Sequence, residues 1–210
     1  MTQIPVAIPD LAPVMVLPGV ALFPKAVLPL RIFEPRYRAM LEFALEHDRM
    51  FCVAQMKPGI SDAVGEDQFF HTAGIGLISA SLTQADGTSN LMLQGLARVR
   101  FQGFVQERPF RIARITPLPA VTTDSRQAKA LCDELRRHCL RIRVNGAPLP
   151  EPFPEMLENM IDADDLVNAI AHSLIADGFE RQSLLEEEDT AQRLRTLVRL
   201  IREQFPASEK

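Results

Sequence analysis

Apolar and polar positions follow two different periods along this chain, and the period changes near residue 120. Before that point the apolar runs are short, closely spaced and separated by Gly and Pro, the mark of strands. Strands are predicted over residues 14–17, 26–32, 51–56, 72–81, 90–94, 98–102 and 110–115. Pro29 interrupts the second, which predicts an edge or a bulge because proline cannot donate to a ladder. Gly74 and Gly76 in the fourth predict a bend or a close backbone contact. Asp86-Gly87 predicts a hairpin turn of type I′. In the 98–102 run, Val99 and Phe101 fall on one face and Arg98, Arg100 and Gln102 on the other, which predicts a half-buried strand with a solvated arginine face. One helix interrupts these strands. Pro35 suits its first turn, and Tyr37, Met40, Leu41, Ala44 and Leu45 form its apolar stripe. Residues 57–71 have no period and read as a surface loop.

After residue 120 the period becomes helical. Ala128, Leu131, Cys132, Leu135, Cys139 and Ile142 make one stripe, with Thr123 or Asp124 as its cap and Asn145-Gly146 as its stop. Pro148, Pro150, Pro152 and Pro154 force an extended linker. A short helix over 155–161 follows. Asp162 caps the next helix, whose inward positions are Leu166, Ala169, Ile170 and Leu174, with Gly178 as its stop. The last helix starts at Asp189 or Thr190 and buries Leu194, Leu197, Val198 and Ile201.

Composition narrows the function classes. The 210 residues are 47% hydrophobic and 24% charged, as in a globular chain able to bury a core unaided. The net charge of −4 argues against non-specific nucleic-acid binding, which needs a basic surface. Three cysteines, Cys52, Cys132 and Cys139, suit buried thiols in a reducing, cytoplasmic compartment. No apolar run reaches the ~18 residues of a membrane span, and no charged secretory start is present.

Catalytic and metal motifs are absent. There is no P-loop, G-x-G-x-x-G, G-x-S-x-G or H-E-x-x-H run. Cys132, His138 and Cys139 share a helix, but the seven-residue cysteine spacing fits core packing better than zinc. The acidic runs at 162–165 and 186–189 suit helix starts. Ser79 or Ser81 with His71 is the nearest approach to a hydrolytic set and lacks an orienting acid. Arg98 and Arg100, with Arg108, Arg111 and Arg114 on the next strand, are a candidate phosphate-contacting stripe.

At these residues a family resemblance enters. Val16-Leu17-Pro18, Ala21-Leu22-Phe23-Pro24 and the run from Leu28 to Tyr37, LPLRIFEPRY, resemble the opening of the Lon protease N-terminal domain, with Arg31 where that pattern has His. Gly74-Ile75-Gly76, Leu93-Gln94-Gly95 with Arg98, Asp165-Leu166-Val167 and Gln182-Ser183-Leu184-Leu185-Glu186 are similar to its later segments in the same order. The resemblance spans about residues 13–204. It implies an α+β fold: a PUA-like β-barrel with one embedded helix over 1–120, then a C-terminal helical bundle over 121–210. It implies a polypeptide-binding module, not an enzyme and without cofactor or metal, that lacks the ATPase and peptidase parts because the chain ends at Lys210. Its expected partners are unfolded or tagged polypeptides and a full-length protease, with neither nucleic acid nor membrane. An exposed apolar groove or a sheet edge would hold the peptide. The peptide-binding candidates are Phe33, Tyr37, Phe69 and Phe70, with Phe33 and Tyr37 also expected to pack the first helix and Glu34 and Arg36 to pair with Arg98 or other charges. The alternative is an RNA-binding PUA-like module, with Arg98, Arg100 and Arg111 as its contacts.

Overall fold

A strand whose two faces are both covered needs a continuous apolar run, and two segments of the first half have one. They are β1 (Leu11–Pro18), buried from Ala12 to Val16, and β3 (Met50–Met56), buried throughout. The computed structural model describes residues 7–60, 65–121, 125–144, 147–149 and 151–206. Contacts divide it into two compact units, Met1–Leu118 and Pro119–Lys210.

In the first unit, β1 pairs in parallel with β3 and antiparallel with β6 (Arg111–Pro117). β3 pairs with β4 (Thr72–Thr83), and β4 with β5 (Ser89–Gln106). β5 returns to β6 and closes a ring of five strands. β5 is one strand of 18 residues where two were predicted. Register shifts after Phe101 and Phe104 bend it so that its end reaches β6. Inside the ring lie Val14, Cys52, Ile75, Val99, Phe101, Ile115 and their neighbours.

Among the described residues β2 (Val27–Ile32) pairs only with β5 and is the sheet's edge, one of the two outcomes Pro29 predicts. The chain joining β1 to β2 crosses the outer face of β4 and β5. A Cβ on Gly74 would stand 2.0 Å from the Leu22 carbonyl oxygen, and one on Gly95 2.0 Å from that of Phe23. Only glycine permits that approach. The helix α1 (Pro35–Glu46) packs Tyr37, Met40, Leu41 and Ala44 against Met15, Phe51, Leu91 and Leu93. The Tyr37 hydroxyl donates to the Val16 carbonyl at 3.0 Å and accepts from the Val16 N–H at 3.2 Å.

The hairpin at Asp86-Gly87 exists but is not type I′. The Gly87 N–H donates to Gln84 O and the Gln84 N–H to Thr88 O, which makes a three-residue loop. Gly87 alone of the pair has positive φ, at 78°. Thr88 donates its N–H and its hydroxyl to Asp86 Oδ1, which fixes Asp86 in ordinary backbone space.

The second unit is helical, with a two-residue hairpin of β7 (Arg143–Val144) and β8 (Ala147–Pro148). α2 (Ser125–Cys139) packs on α6 (Thr190–Gln204). α3 (Phe153–Asn159) takes Pro154 into its first turn, so the extended linker stops earlier than predicted. Asp162 caps α4 (Ala163–Leu174) by accepting from the Asp164 and Asp165 N–H groups, and Asp189 caps α6 through Gln192. Gly178 does not stop α4. It opens a further helix, α5 (Gly178–Glu186), because Asp177 just before it accepts from the Glu180 N–H. Arg193 on α6 is fully buried and donates to Leu184 O, Asn168 Oδ1 and Asp164 Oδ1, so it ties α4, α5 and α6 together. The caps expected at Thr123 or Asp124, the stop at Asn145-Gly146, and Pro150 lie outside the described residues. Among the described residues no helix is long and apolar enough to cross a membrane.

Candidate functional site

Beyond the ring, β2, β5 and β4 continue as a three-stranded sheet, and its two faces have different fates. Side chains alternate, so Leu28, Leu30 and Ile32 on β2 and Leu91 and Leu93 on β5 turn toward α1 and are covered. The opposite row is Val27, Pro29 and Arg31 on β2, with Gln94, Met92 and Asn90 opposite them on β5. Ala80 and Leu82 on β4 extend the rows of Met92 and Asn90. Ser79 is the extra residue of a register shift, which brings Ala80 and Leu82 onto this face.

Val27, Leu82 and Met92 are exposed, Leu82 to 65%. Leu82 and Met92 border an open concavity of about 510 Å³ with Pro29, Ala80 and Arg31. Apolar side chains standing together in solvent mark a surface built to be covered. The edge beside it is partly blunted. Gly95 N–H donates to Ala26 O, and bonded pairs recur every second residue, so Val27, Pro29 and Arg31 turn their main-chain groups to the open side. Pro29 there offers a carbonyl and no N–H.

Arg31 ends the concavity, and with Asn90 it also lines a second one toward the hairpin loop at Gln84 and Asp86. The N–H and hydroxyl of Thr88 hold the Asp86 carboxyl below the usual range, with the Arg31 charge adding a smaller share. A separate concavity of about 290 Å³ holds Arg36, Tyr37, Glu107, Arg108 and Arg111. Arg36 there pairs with Glu34, not with Arg98, and its guanidinium lies 4.8 Å from the Tyr37 ring centre.

The residues singled out from sequence fall in different places. Phe33 is 61% exposed, so it does not pack α1. Tyr37 does, and burial raises its hydroxyl pKa above the ordinary value. Phe69 is fully buried, and it bridges to Met56 and stacks near His71, Phe101 and Phe104 at centroid distances of 5.7, 6.4 and 5.7 Å. Phe69, near the end of the unpatterned loop, thus closes over the ring's interior. Phe70 is half-buried with Lys57 6.0 Å above its ring. Arg111 lies 5.2 Å over the Phe69 ring. Arg100 is exposed, but Arg98 is only 2% exposed. It stands opposite Gly74, where the β1–β2 connection covers the outer face, so the expected solvated arginine face is not one. These residues do not form one site. The exposed face was missed because its members come from three separated strands. The signal was present in Met92, an apolar residue on the polar beat between Leu91 and Leu93.

The Ser79 hydroxyl donates to Met92 O and His71 Nε2 contacts Glu66 O, eight residues or about 25 Å apart along the strand. Cys52, Cys132 and Cys139 are buried free thiols, and burial pushes Cys139 up to about 12. Among the described residues no three His, Cys, Asp or Glu side chains gather as a metal site.

Comparison with known proteins gives a consistent set of likenesses. Residues 12–203 match the family model for the ATP-dependent protease La (LON) substrate-binding domain. The chain is 28% identical over 188 residues to a Lon protease of Trichlorobacter lovleyi, covering 89% of this chain and 23% of that protein. It is 26% identical over 206 residues to a Lon protease of Syntrophus aciditrophicus, covering 96% and 26%. The chain thus spans about a quarter of the length of these curated relatives. Its fold is similar to the N-terminal domain of the Mycobacterium avium complex Lon protease, with a TM-score of 0.74 at 18% identity over 93% of this chain and 100% of that one. It is also similar to a Lon N-terminal domain protein from Xanthomonas campestris, with a TM-score of 0.63 at 21% identity over 90% and 97%.

Proposed function

This chain belongs to the family of the LON substrate-binding domain, and from that premise we propose that it is a non-catalytic module that binds extended or unfolded polypeptide. The observation that carries the reading is the exposed apolar face of Val27, Pro29, Ala80, Leu82 and Met92. An extended chain laid across it would bury alternate apolar side chains in the concavity. Most of the gain comes from apolar area, at about 25 cal/mol per Å² before the cost of ordering the peptide. The module works in the cytoplasm on unfolded or tagged polypeptides and in concert with a full-length protease. The RNA reading loses support because Arg98, one of its contacts, is buried.

Fluorescence anisotropy of a labelled unfolded polypeptide tests the proposal, with labelled RNA as the control. The protein is expected to bind the polypeptide saturably at low and high salt alike, and Met92→Asp with Leu82→Asp to weaken binding by about tenfold or more. Polypeptide binding that is absent, or that collapses with salt as phosphate binding does, overturns it.

A further inference from the structure

The apolar face carries one charged side chain at its end, and that residue has no apparent part in the fold. Arg31 stands on the outward row of the edge strand, in register with Asn90 and one row from the Pro29–Met92–Ala80 row. Its neighbours toward α1, Leu30 and Ile32, hold the strand, and Arg31 points away from them. Among the described residues it forms no ion pair. The charges near this end of the face are few. Asp86 is the nearby carboxylate, and its Oδ1 is already taken by the Thr88 N–H and hydroxyl. Arg38 rests against Gly87 on the same loop, so it adds positive charge. The remaining outward residues, Val27, Pro29, Ala80, Leu82, Asn90, Met92 and Gln94, are uncharged.

We propose that Arg31 makes this face selective for polypeptide segments that place a carboxylate directly beside apolar side chains. This rests on the polypeptide-binding reading above. The apolar side chains occupy the concavity at Met92 and Leu82, and the carboxylate of an Asp or Glu, or of a chain end, meets the guanidinium of Arg31. A guanidinium presents paired donors matched to a carboxylate, which an ammonium does not. Arg31 makes no ion pair with a described residue, so a bound carboxylate competes only with the weaker pull of Asp86 across the neighbouring concavity. A basic residue at the same point of the bound segment meets the Arg31 guanidinium and is disfavoured.

Three labelled peptides test this. They share one apolar stretch and differ only at the following position, which is Asp, Asn or Lys. The intact protein is expected to bind the Asp peptide about fivefold more tightly than the Asn peptide at low salt, with the Lys peptide weakest and the spread narrowing at high salt. Arg31→Gln is expected to erase the preference between the Asp and Asn peptides, and Arg31→Glu to invert it. Equal binding of the Asp and Asn peptides overturns the proposal, as does a preference that survives Arg31→Gln. If all three bind and Met92→Asp weakens none of them, binding lies elsewhere and the proposal also fails. If none binds, the failure belongs to the polypeptide-binding reading itself and removes this proposal with it.

Discussion

Replacing Arg193 by Met should damage the helical unit far more than any surface arginine does. The guanidinium is fully buried and serves three acceptors on two other helices. Its Nε donates to Leu184 O at 2.9 Å, one terminal nitrogen to Asn168 Oδ1 at 2.6 Å, and the other to Asp164 Oδ1. Methionine fills much of the volume but donates nothing. It strands a carbonyl, an amide oxygen and a carboxylate. Three hydrogen bonds to a charged group contribute about 1.5–3 kcal/mol each. Part of that is recovered, because Asp164 reaches solvent and also accepts from Asn168 Nδ2. About 3–5 kcal/mol is expected, the usual cost of breaking a buried ionic contact by removing one partner. With a urea slope of about 2 kcal/mol per molar, the midpoint of the helical unit should fall by about 2 M. Far-UV circular dichroism follows the helices, and fluorescence of Tyr37, the single tyrosine in a chain without tryptophan, follows the first unit separately. Arg199→Met is the control. Its pair with Glu203 is exposed on both sides, so the change should stay within about 0.5 kcal/mol. A loss below about 1 kcal/mol for Arg193→Met would refute the reasoning.

Two further outcomes are expected. Gly74→Ala should destabilise the first unit by more than about 3 kcal/mol, because the new Cβ meets the Leu22 main chain, which cannot move aside; Gly59→Ala meets nothing and should cost only about 1 kcal/mol for its positive φ. Tyrosine-fluorescence melts of both variants check this, and equal losses would count against the close contact. Burial, and then the Arg181 charge, hold the His172 imidazole below its ordinary pKa. The unfolded chain therefore takes up a proton first as pH falls below about 6.5, so the stability His172 contributes is complete above that pH and declines toward the lower folded pKa. Urea midpoints by circular dichroism from pH 8 to 5 should show that slope, and His172→Gln should flatten it; an unchanged slope would refute the assignment.

Where a local rule decides the outcome, the residues spell the fold out. Pro29 marks the edge strand because a missing donor has nowhere else to go. Asp162 and Asp189 mark helix starts because a carboxylate there accepts free N–H groups. The failures have a common cause in tertiary covering. Period 2 places Arg98 on the outer face correctly, yet it cannot tell that the β1–β2 connection, distant in sequence, lies over Gly74 beside it. Gly178 resembles a helix stop, but Asp177 turns it into a helix start. Aromatic residues drew attention to Phe69, whose task is to close the ring. The exposed face, by contrast, is made of Met, Leu, Val and Pro on three strands, and single-strand patterns do not add them together.

Support and display are separated on β2. Main-chain bonds at Lys25 and Ala26 fix where the strand begins, and Leu28, Leu30 and Ile32 fix how it lies. The outward row contributes to neither. Residues 27, 29 and 31, with 92 on β5, therefore behave as an interchangeable cassette: their identities can be rewritten while the backbone beneath them stays in place. A library at those four positions would yield folded proteins that differ in what they hold, which makes this sheet a natural scaffold for engineered peptide binders.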